Sequence, residues 1–277
     1  MIIKKYKKIG LIGFFVGLFV FFSFFDLQFS NLVVNQKSLY AHFFYMFGEL
    51  PGTFMGLVSL AILTVSYKQE GKKYATIGLF IATNCMSLIL CYQMIQYLGL
   101  NRFPTILIGF ILSFIVIHGA DKLSIEKKKY LRKYAIVGFL TMALGILIPN
   151  LIKIIWARPR YRILIGSDIA YQAWFNPQGM TFEDDWKSFP SGHSAAAAVS
   201  LVYIYLPQIF DRLKGKEPVI LSIIVLWIIN VMISRVIRGD HFVTDTLVGT
   251  GLSCIIFIQL HKLLIENTKK KIKNSRL

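Results

Sequence analysis

The chain has 277 residues, of which 55% are hydrophobic, and its mean hydropathy is +0.59. This composition excludes a soluble globular domain with a polar surface and favours an integral membrane protein. The net charge of +17 does not indicate nucleic-acid binding, because the basic residues are dispersed over loops and chain ends between apolar segments.

Eight apolar segments approach the roughly 20 residues that a helix needs to cross a bilayer. They predict an all-α fold, a polytopic transmembrane helix bundle of about eight crossings, although several segments are short enough to leave six or seven open. The segments are 9–25, 50–67, 74–97, 103–119, 134–154, 194–210, 219–236 and 243–265. Three cysteines lie within them without paired spacing, which predicts helix packing rather than a disulfide framework or a zinc site.

We interpret residues 1–277 as a single integral-membrane domain with three parts. Residues 1–133 form N-terminal helices, 134–265 form the helices that carry the polar motifs, and 266–277 form a basic cytoplasmic tail. Residues 26–47 mix apolar and polar side chains, which predicts a segment lying along the outer membrane interface. The aromatic residues of the long loop before Pro190 are expected to form an interfacial belt.

The basic residues are distributed unequally between the two sides that eight crossings define. One side carries 22 of the 31 basic residues but only six of the 14 acidic residues. Because Lys and Arg accumulate in cytoplasmic loops, this pattern predicts a plasma-membrane protein with both termini in the cytoplasm. The remaining loops, including 161–187, would then face the outside.

The stretch from Ser234 to Asp245 combines a nucleophile, a carboxylate and an anion-binding side chain. If His241 and Asp245 lie on one helix, they share a face, and the carboxylate can accept the N–H of one ring nitrogen. The other ring nitrogen is then free to attack. Arg235, on the preceding segment, suits bidentate binding of a phosphate. An ordinary helix pair beside a surface arginine explains these residues equally well when they are taken alone.

A second stretch, Pro190-Ser-Gly-His193, leads directly into an apolar helix. Pro190 and Ser191 suit a helix start whose free N–H groups bind an anion, and Gly192 lets a ligand approach the backbone. His193 could donate a proton to a leaving oxygen. A simple capped helix with an interfacial histidine is the alternative. Lys153, Arg158 and Arg160 lie at the end of the fifth apolar segment. All three stretches fall at the same predicted membrane face, which favours a functional site because charges near hydrocarbon are costly.

These stretches resemble the motifs of the type 2 phosphatidic acid phosphatases (PAP2), which are Lys-x6-Arg-Pro, Pro-Ser-Gly-His and Ser-Arg-x5-His-x3-Asp. The second motif matches in full at Pro190–His193 and the third at Ser234–Asp245. In the first motif, Lys153 reaches Arg160, but Tyr161 stands where proline is expected, and Arg158-Pro159 supplies an Arg-Pro pair two residues early. The resemblance leaves open which arginine binds phosphate. It implies a six-helix core, so two predicted crossings are additional.

The resemblance implies a membrane phosphatase that hydrolyses a lipid phosphate or a polyprenyl pyrophosphate at the outer face through a phosphohistidine. The catalytic residues would be His241, His193 and Asp245. The phosphoryl oxygens would be bound by a larger set of residues: Lys153, Arg158 or Arg160, Ser191, Gly192 and Arg235. We expect no metal and no cofactor, because the cationic side chains can neutralise the transferred charge.

The expected partners are a lipid phosphate and the bilayer, without nucleic acid. The sequence does not choose among phosphatidylglycerophosphate, phosphatidic acid and an undecaprenyl-type pyrophosphate, and it does not define the oligomeric state. Two alternatives remain: a lipid phosphotransferase of the same family, and a non-catalytic anion transporter or lipid-binding membrane protein.

Overall fold

The computed structural model describes the backbone of residues 2–267 and their side chains except those of residues 2–9, 11, 12 and 97. Of the predicted tail at 266–277, residues 268–277 lie outside the described residues. Within this range the regular elements are helical. The α-helices are α1 (Ile2–Val33), α2 (Leu39–Phe47), α3 (Leu50–Gln69), α4 (Lys73–Leu98), α5 (Arg102–Asp121), α6 (Ile125–Trp156), α7 (Tyr161–Leu164), α8 (Gly192–Ala198), α9 (Leu206–Ile209), α10 (Glu217–Ile237) and α11 (Val243–His261).

The expected all-α membrane bundle is confirmed. Seven helical stretches in the described part of the chain are long and apolar enough to cross a membrane, and α8 to α9 form a further traverse that is not one regular helix. Residues 199–205 between α8 and α9 are a 3₁₀-helix. Pro207 is the second residue of α9, and because proline lacks an N–H and clashes with the carbonyl four residues earlier, a continuous α-helix through this point is disfavoured.

The traverse formed by α8 to α9 runs parallel to α11. Ser191 N donates a hydrogen bond to Asp245 O at one end (2.9 Å), and Tyr205 Oη lies 2.7 Å from His261 Nδ1 at the other. The bundle therefore has two distinct ends. We call the end that contains Ser191 and Asp245 the site end, and the one that contains Tyr205 and His261 the opposite end.

Helices α4 and α5 form an antiparallel hairpin that packs mainly against α3. The remaining crossings are α1, α3, α6, the α8 to α9 traverse, α10 and α11, which makes six. The hairpin is the pair of crossings that stands apart from these six. The Thr64 and Thr83 hydroxyls join the hairpin to α3, and Ser87 Oγ joins its two helices by donating to Gly109 O.

The expected interfacial segment at 26–47 is only partly correct. Residues 26–33 continue α1, because Asp26 finds buried partners at the site end instead of leaving the bundle. Only α2 is a separate short helix, and it packs against α10 at the site end. Ser38 caps its start by accepting a hydrogen bond from Ala41 N.

Candidate active site

His241 lies in the turn between α10 and α11, so the expected helical pairing with Asp245 does not form. The Nδ1 atom of His241 lies 2.7 Å from the carbonyl oxygen of Ser188 and 3.7 Å from Asp245 Oδ2. If Nδ1 carries the proton, it donates to Ser188 O and leaves Nε2 without that proton. Ser188 Oγ donates to Asp245 Oδ2 at 2.6 Å, so Ser188 links the two residues. Ser188 lies just before the second motif, and no pattern in the sequence indicated this role.

Asp245 caps the start of α11. Its Oδ2 accepts a hydrogen bond from Phe242 N at 2.9 Å, and its carbonyl oxygen accepts one from Ser191 N. Gly249, one turn further along α11, faces the backbone of Ser191 so closely that a Cβ there would lie 2.2 Å from Ser191 O. The third motif therefore sets the position of the second through backbone contacts.

Arg158 is buried and fully hydrogen-bonded. Its five N–H groups make five hydrogen bonds, the maximum that a guanidinium can donate. The acceptors are Gln172 O, Thr244 Oγ1, Asp245 Oδ1, Asp26 Oδ2 and Tyr171 Oη. Ala157 ends α6 in the left-handed conformation, with φ of 47°, and so turns the next residue inward.

Asp26 of α1 is a residue of this cluster that the sequence interpretation missed. Its side chain is fully buried, and its carboxylate accepts hydrogen bonds from Thr244 N (3.1 Å) and from Thr244 Oγ1. It also pairs with Arg158 at 3.2 Å. The signal available in the sequence was a single acidic residue inside an apolar run, which is a functional-site hypothesis in a membrane helix.

Arg235, near the end of α10, is buried but incompletely paired. Its Nη2 lies 2.8 Å from Asp240 Oδ2, whereas Nε and Nη1 are buried without a hydrogen-bond partner. Burial would raise the pKa of Asp240, but Arg235, His241 and Arg238 outweigh it and hold this pKa well below its usual range. Two donors of a permanently charged guanidinium thus remain available beside His241.

Arg160 and Lys153 contribute further positive charge at the site end. Arg160 donates to Asp184 O and pairs with Asp184 Oδ1 at 2.8 Å, while the Asp184 side chain is 71% exposed. Although burial acts to raise the pKa of Asp184, Arg160 and Arg162 lower it below its usual value. Lys153 donates to Lys187 O at 3.1 Å, and its Nζ would be 3.7 Å from a Cβ placed on Gly192.

The second motif forms a capped helix start, as expected. Ser191 precedes α8 and accepts a hydrogen bond from Ser194 N at 3.3 Å. His193 follows in the first turn, with its Nδ1 2.9 Å from Glu49 Oε1. Glu49 precedes α3 and was not singled out from the sequence, where it follows a run of aromatic residues and stands two positions before Pro51.

Tyr45 of α2 forms an aromatic wall beside the charged residues. Its ring stacks on His193, with 5.5 Å between centroids and 16° between planes. The guanidinium carbons of Arg235 and Arg238 lie 4.9 Å and 3.9 Å from its centroid. The segment predicted to lie along the interface therefore contributes to the site through α2.

The loop after α6 folds over the site end, so its aromatic residues do more than form the expected belt. Trp174 lies between Phe19 and Phe189, with centroid distances of 4.9 and 6.0 Å, and donates from its ring nitrogen to Ser23 Oγ. Tyr171 packs edge-on against Phe242. These contacts connect the loop to α1 and to the turn that holds His241.

The protonation of His241 follows from this environment. Burial lowers its pKa well below the ordinary value of 6.5, and Lys153, Arg160 and Arg235 act in the same direction against the Asp245 carboxylate. The ring is therefore neutral at pH 7. Across residues 2–267, no group of three or more His, Cys, Asp or Glu side chains is arranged to hold a metal ion.

Together, the apolar bundle and this charged cluster define an integral membrane protein whose polar residues converge at one end. The model of the PAP2 superfamily matches residues 134–269, a region that includes all three polar stretches. Through this region the chain belongs to the PAP2 superfamily.

Phosphatidylglycerophosphatase B of Bacillus subtilis (strain 168) is a curated relative of this chain. The two are 35% identical over 91 residues, which are 32% of this chain and 42% of the relative. The chain therefore spans less than half the length of this relative. No solved structure matches the chain.

Proposed function

We propose that this protein is a membrane phosphatase that removes a phosphate group from a lipid. The observation that carries the proposal is the state of Arg235, which is 2% exposed and has two buried nitrogens without hydrogen-bond partners beside His241 and the Tyr45–His193 stack. Buried donors of this kind are costly unless a ligand satisfies them. A phosphoryl group offers the charge and the acceptor oxygens that a guanidinium binds best.

We assign phosphate binding to Arg160 rather than Arg158. Arg158 could bind a phosphate only by giving up one of its five buried hydrogen bonds. Arg160 is paired instead with the largely exposed carboxylate of Asp184, which a phosphate could replace. Lys153 and Arg235 would complete the cationic set. Ser191 holds the start of α8 against Asp245, and Gly192 would contribute its backbone N–H.

The proposed reaction has two steps. In the first, Nε2 of neutral His241 attacks phosphorus and forms an N–P bond, while His193 gives a proton to the lipid oxygen as the P–O bond breaks. In the second, neutral His193 takes a proton from water, the water oxygen bonds to phosphorus, and the N–P bond breaks to release phosphate. Asp245 stabilises the positive charge that develops on His241, because its Oδ2 lies 3.7 Å from His241 Nδ1.

The positions of the basic residues support an extracytoplasmic site. The lysine-rich loops 68–73, 122–133 and 212–216 are at the opposite end of the bundle from the site. We therefore propose a cell-membrane protein with cytoplasmic termini and a site at the outer face. A site at this position suits a lipid substrate whose phosphorylated headgroup lies at the outer surface of the bilayer. The relative's name makes phosphatidylglycerophosphate the first candidate, followed by phosphatidic acid and a polyprenyl pyrophosphate such as undecaprenyl pyrophosphate.

The test is phosphate release from these lipids by the purified protein in detergent with excess EDTA. We expect release that is independent of divalent metals and is abolished in His241→Ala. His118→Ala is the matched control, because His118 is an exposed histidine of α5 at the opposite end. An acid-labile phosphoenzyme should form with His118→Ala and not with His241→Ala.

The other outcomes distinguish the alternatives. Transfer of phosphate to an added alcohol without release in water would identify a phosphotransferase. A folded protein that neither releases nor transfers phosphate would contradict the proposal and favour an anion transporter or a lipid-binding protein. EDTA-sensitive activity would overturn the metal-independent mechanism.

Sidedness requires a separate measurement. In a background without Cys85, Cys91 and Cys254, a membrane-impermeant maleimide applied to intact cells should label Met180→Cys, whose parent side chain is 71% exposed. Lys214→Cys, in a loop at the opposite end, should react only after permeabilisation. The reverse pattern would place the site in the cytoplasm.

A further inference from the structure

Glu49 connects the proposed proton donor to the hairpin formed by α4 and α5. One carboxylate oxygen, Oε1, lies 2.9 Å from His193 Nδ1, and the other, Oε2, accepts a hydrogen bond from Gln93 Nε2 at 2.9 Å. The three side chains come from the turn before α3, from α8 and from α4. Both carboxylate oxygens are therefore occupied by defined donors.

The backbone around Glu49 is fixed on two sides. Its carbonyl oxygen accepts hydrogen bonds from Thr53 N and Thr53 Oγ1, both at 3.1 Å. The carbonyl oxygen of Gly48 accepts a hydrogen bond from the Trp227 ring nitrogen at 3.1 Å, which holds the turn against α10. The start of α3 also favours a negative charge at this position.

We propose that Glu49 is a positioning residue for His193, and that Gln93 of α4 positions Glu49. By accepting a hydrogen bond from Nδ1–H, the carboxylate fixes the orientation of the ring, and in the imidazolium form Nε2 carries the proton that is transferred. The same negative charge stabilises the imidazolium form that donation requires. This proposal deepens the proposed function and rests on it.

The other influences on His193 oppose Glu49. Burial acts most strongly to lower the pKa of His193, and Arg235 from α10 and Lys153 from α6 act in the same direction, while the Tyr45 ring covers one face. Glu49 acts against them and raises this pKa. Without Glu49, the ring would lose its proton at lower pH and the acid step would weaken.

The experiment compares Glu49→Gln with the wild-type protein on a lipid phosphate over a range of pH. We expect the alkaline limb of kcat to move by about one to three pH units towards acid. At a pH above that limb, kcat should fall about tenfold for every pH unit by which the limb moves. KM should change little, since Glu49 does not contact phosphate in this mechanism.

A second readout uses the leaving group. An aryl phosphate whose phenolate departs without a proton should be hydrolysed by Glu49→Gln at a rate near that of the wild type. In the first step, measured as the burst of alcohol or phenolate release, His193→Gln should show the same selective loss on the lipid substrate. Its turnover should fall on both substrates, because His193 also takes the proton from water in the second step. Equal losses on both substrates, or an alkaline limb that does not move, would contradict the role of Glu49.

Gln93→Leu should shift the alkaline limb in the same direction but by less, because the carboxylate keeps its charge and loses only its orientation. Gln96→Leu is the matched control one turn along α4, where the side chain is exposed and pairs with Tyr92. Combining Gln93→Leu with Glu49→Gln should add little, as expected for residues that act through one another. Additive losses would contradict the coupling through Gln93.

The failure of this inference is distinguishable from failure of the proposed function. If His241→Ala abolishes phosphate release while Glu49→Gln keeps the wild-type pH profile and leaving-group dependence, only the role of Glu49 is wrong. If His241→Ala retains activity, the proposed function itself is wrong.

Discussion

Arg158 and Asp245 form a buried ion pair, with Arg158 Nη1 2.5 Å from Asp245 Oδ1 and both side chains at most 1% exposed. The same guanidinium pairs with Asp26 of α1. Arg158 therefore balances two buried carboxylates, one from the first crossing and one beside the proposed nucleophile. This arrangement makes the role of Arg158 structural. Arg160, only two residues further along the chain, is instead the arginine to which we assign phosphate binding.

We expect Arg158→Ala to lower the stability of the protein and Arg160→Ala to weaken substrate binding. Removing Arg158 leaves two uncompensated buried carboxylates, and breaking a buried pair in this way costs about 3–5 kcal/mol. Thermal unfolding in detergent should show a clearly lowered Tm. Arg160→Ala loses a pairing with a largely exposed carboxylate, so its Tm should stay near that of the wild type while its KM for the lipid phosphate rises. A high KM with normal stability in Arg158→Ala would reverse the assignment.

The pH dependence of kcat/KM should be bell-shaped. His241 must be neutral to attack, and burial holds its pKa well below 6.5, so activity should be lost only as the pH falls well below that value. His193 must be protonated to donate, and its pKa is also lowered, chiefly by burial and Arg235, so activity should fall as the pH rises. The maximum is therefore expected below pH 6.5. We expect His193→Gln to remove the alkaline limb alone. A flat profile from pH 5 to 9, with chemistry rate-limiting, would contradict both assignments.

The sequence predicted the helices well because each crossing is a long apolar run, and a bilayer requires such runs to satisfy their own backbone hydrogen bonds. It also predicted the convergence of the three motifs at one end. It did not predict that His241 would lie before α11, because the spacing of His241 and Asp245 fits both a helical pair and a capped turn. Contacts between distant segments, such as Ser188 with His241, leave no periodic signal at all.

Glu49 and Asp26 illustrate a different limit. Each is a lone acidic residue in an apolar region, and the sequence interpretation singled out neither, although an acidic residue in such a region is a functional-site hypothesis. Arg158, the partner of Asp26, is 132 positions away in the sequence, and His193, the partner of Glu49, is farther still from it. Which cation or imidazole each carboxylate meets depends on helix packing, which a single sequence does not specify.

We expect Gly249→Ala to reduce activity through the backbone of the second motif. The added Cβ would lie 2.2 Å from Ser191 O and 3.1 Å from Ser191 C, and neither atom belongs to a flexible side chain. α11 and the Ser191 turn must therefore separate, and a displacement of about 1 Å at a reacting centre can cost about 100-fold in rate. Gly78→Ala is the control, because no atom lies within 4 Å of its Cβ position. Helix propensity alone would make both changes slightly stabilising, so equal activity of the two variants would contradict the steric argument.

Tyr45→Leu should weaken substrate binding more than any other change in α2. The ring contacts His193 and both Arg235 and Arg238, and each cation–π contact contributes about 0.5–2 kcal/mol. Losing the ring frees the arginines to move, so the phosphate site becomes less organised and KM should rise by about tenfold, which corresponds to about 1.4 kcal/mol. Leu39→Ala serves as the control, since Leu39 lies at the other end of α2 and is 85% exposed. Equal KM values in the two variants would mean that α2 lies beside the site without contributing to it.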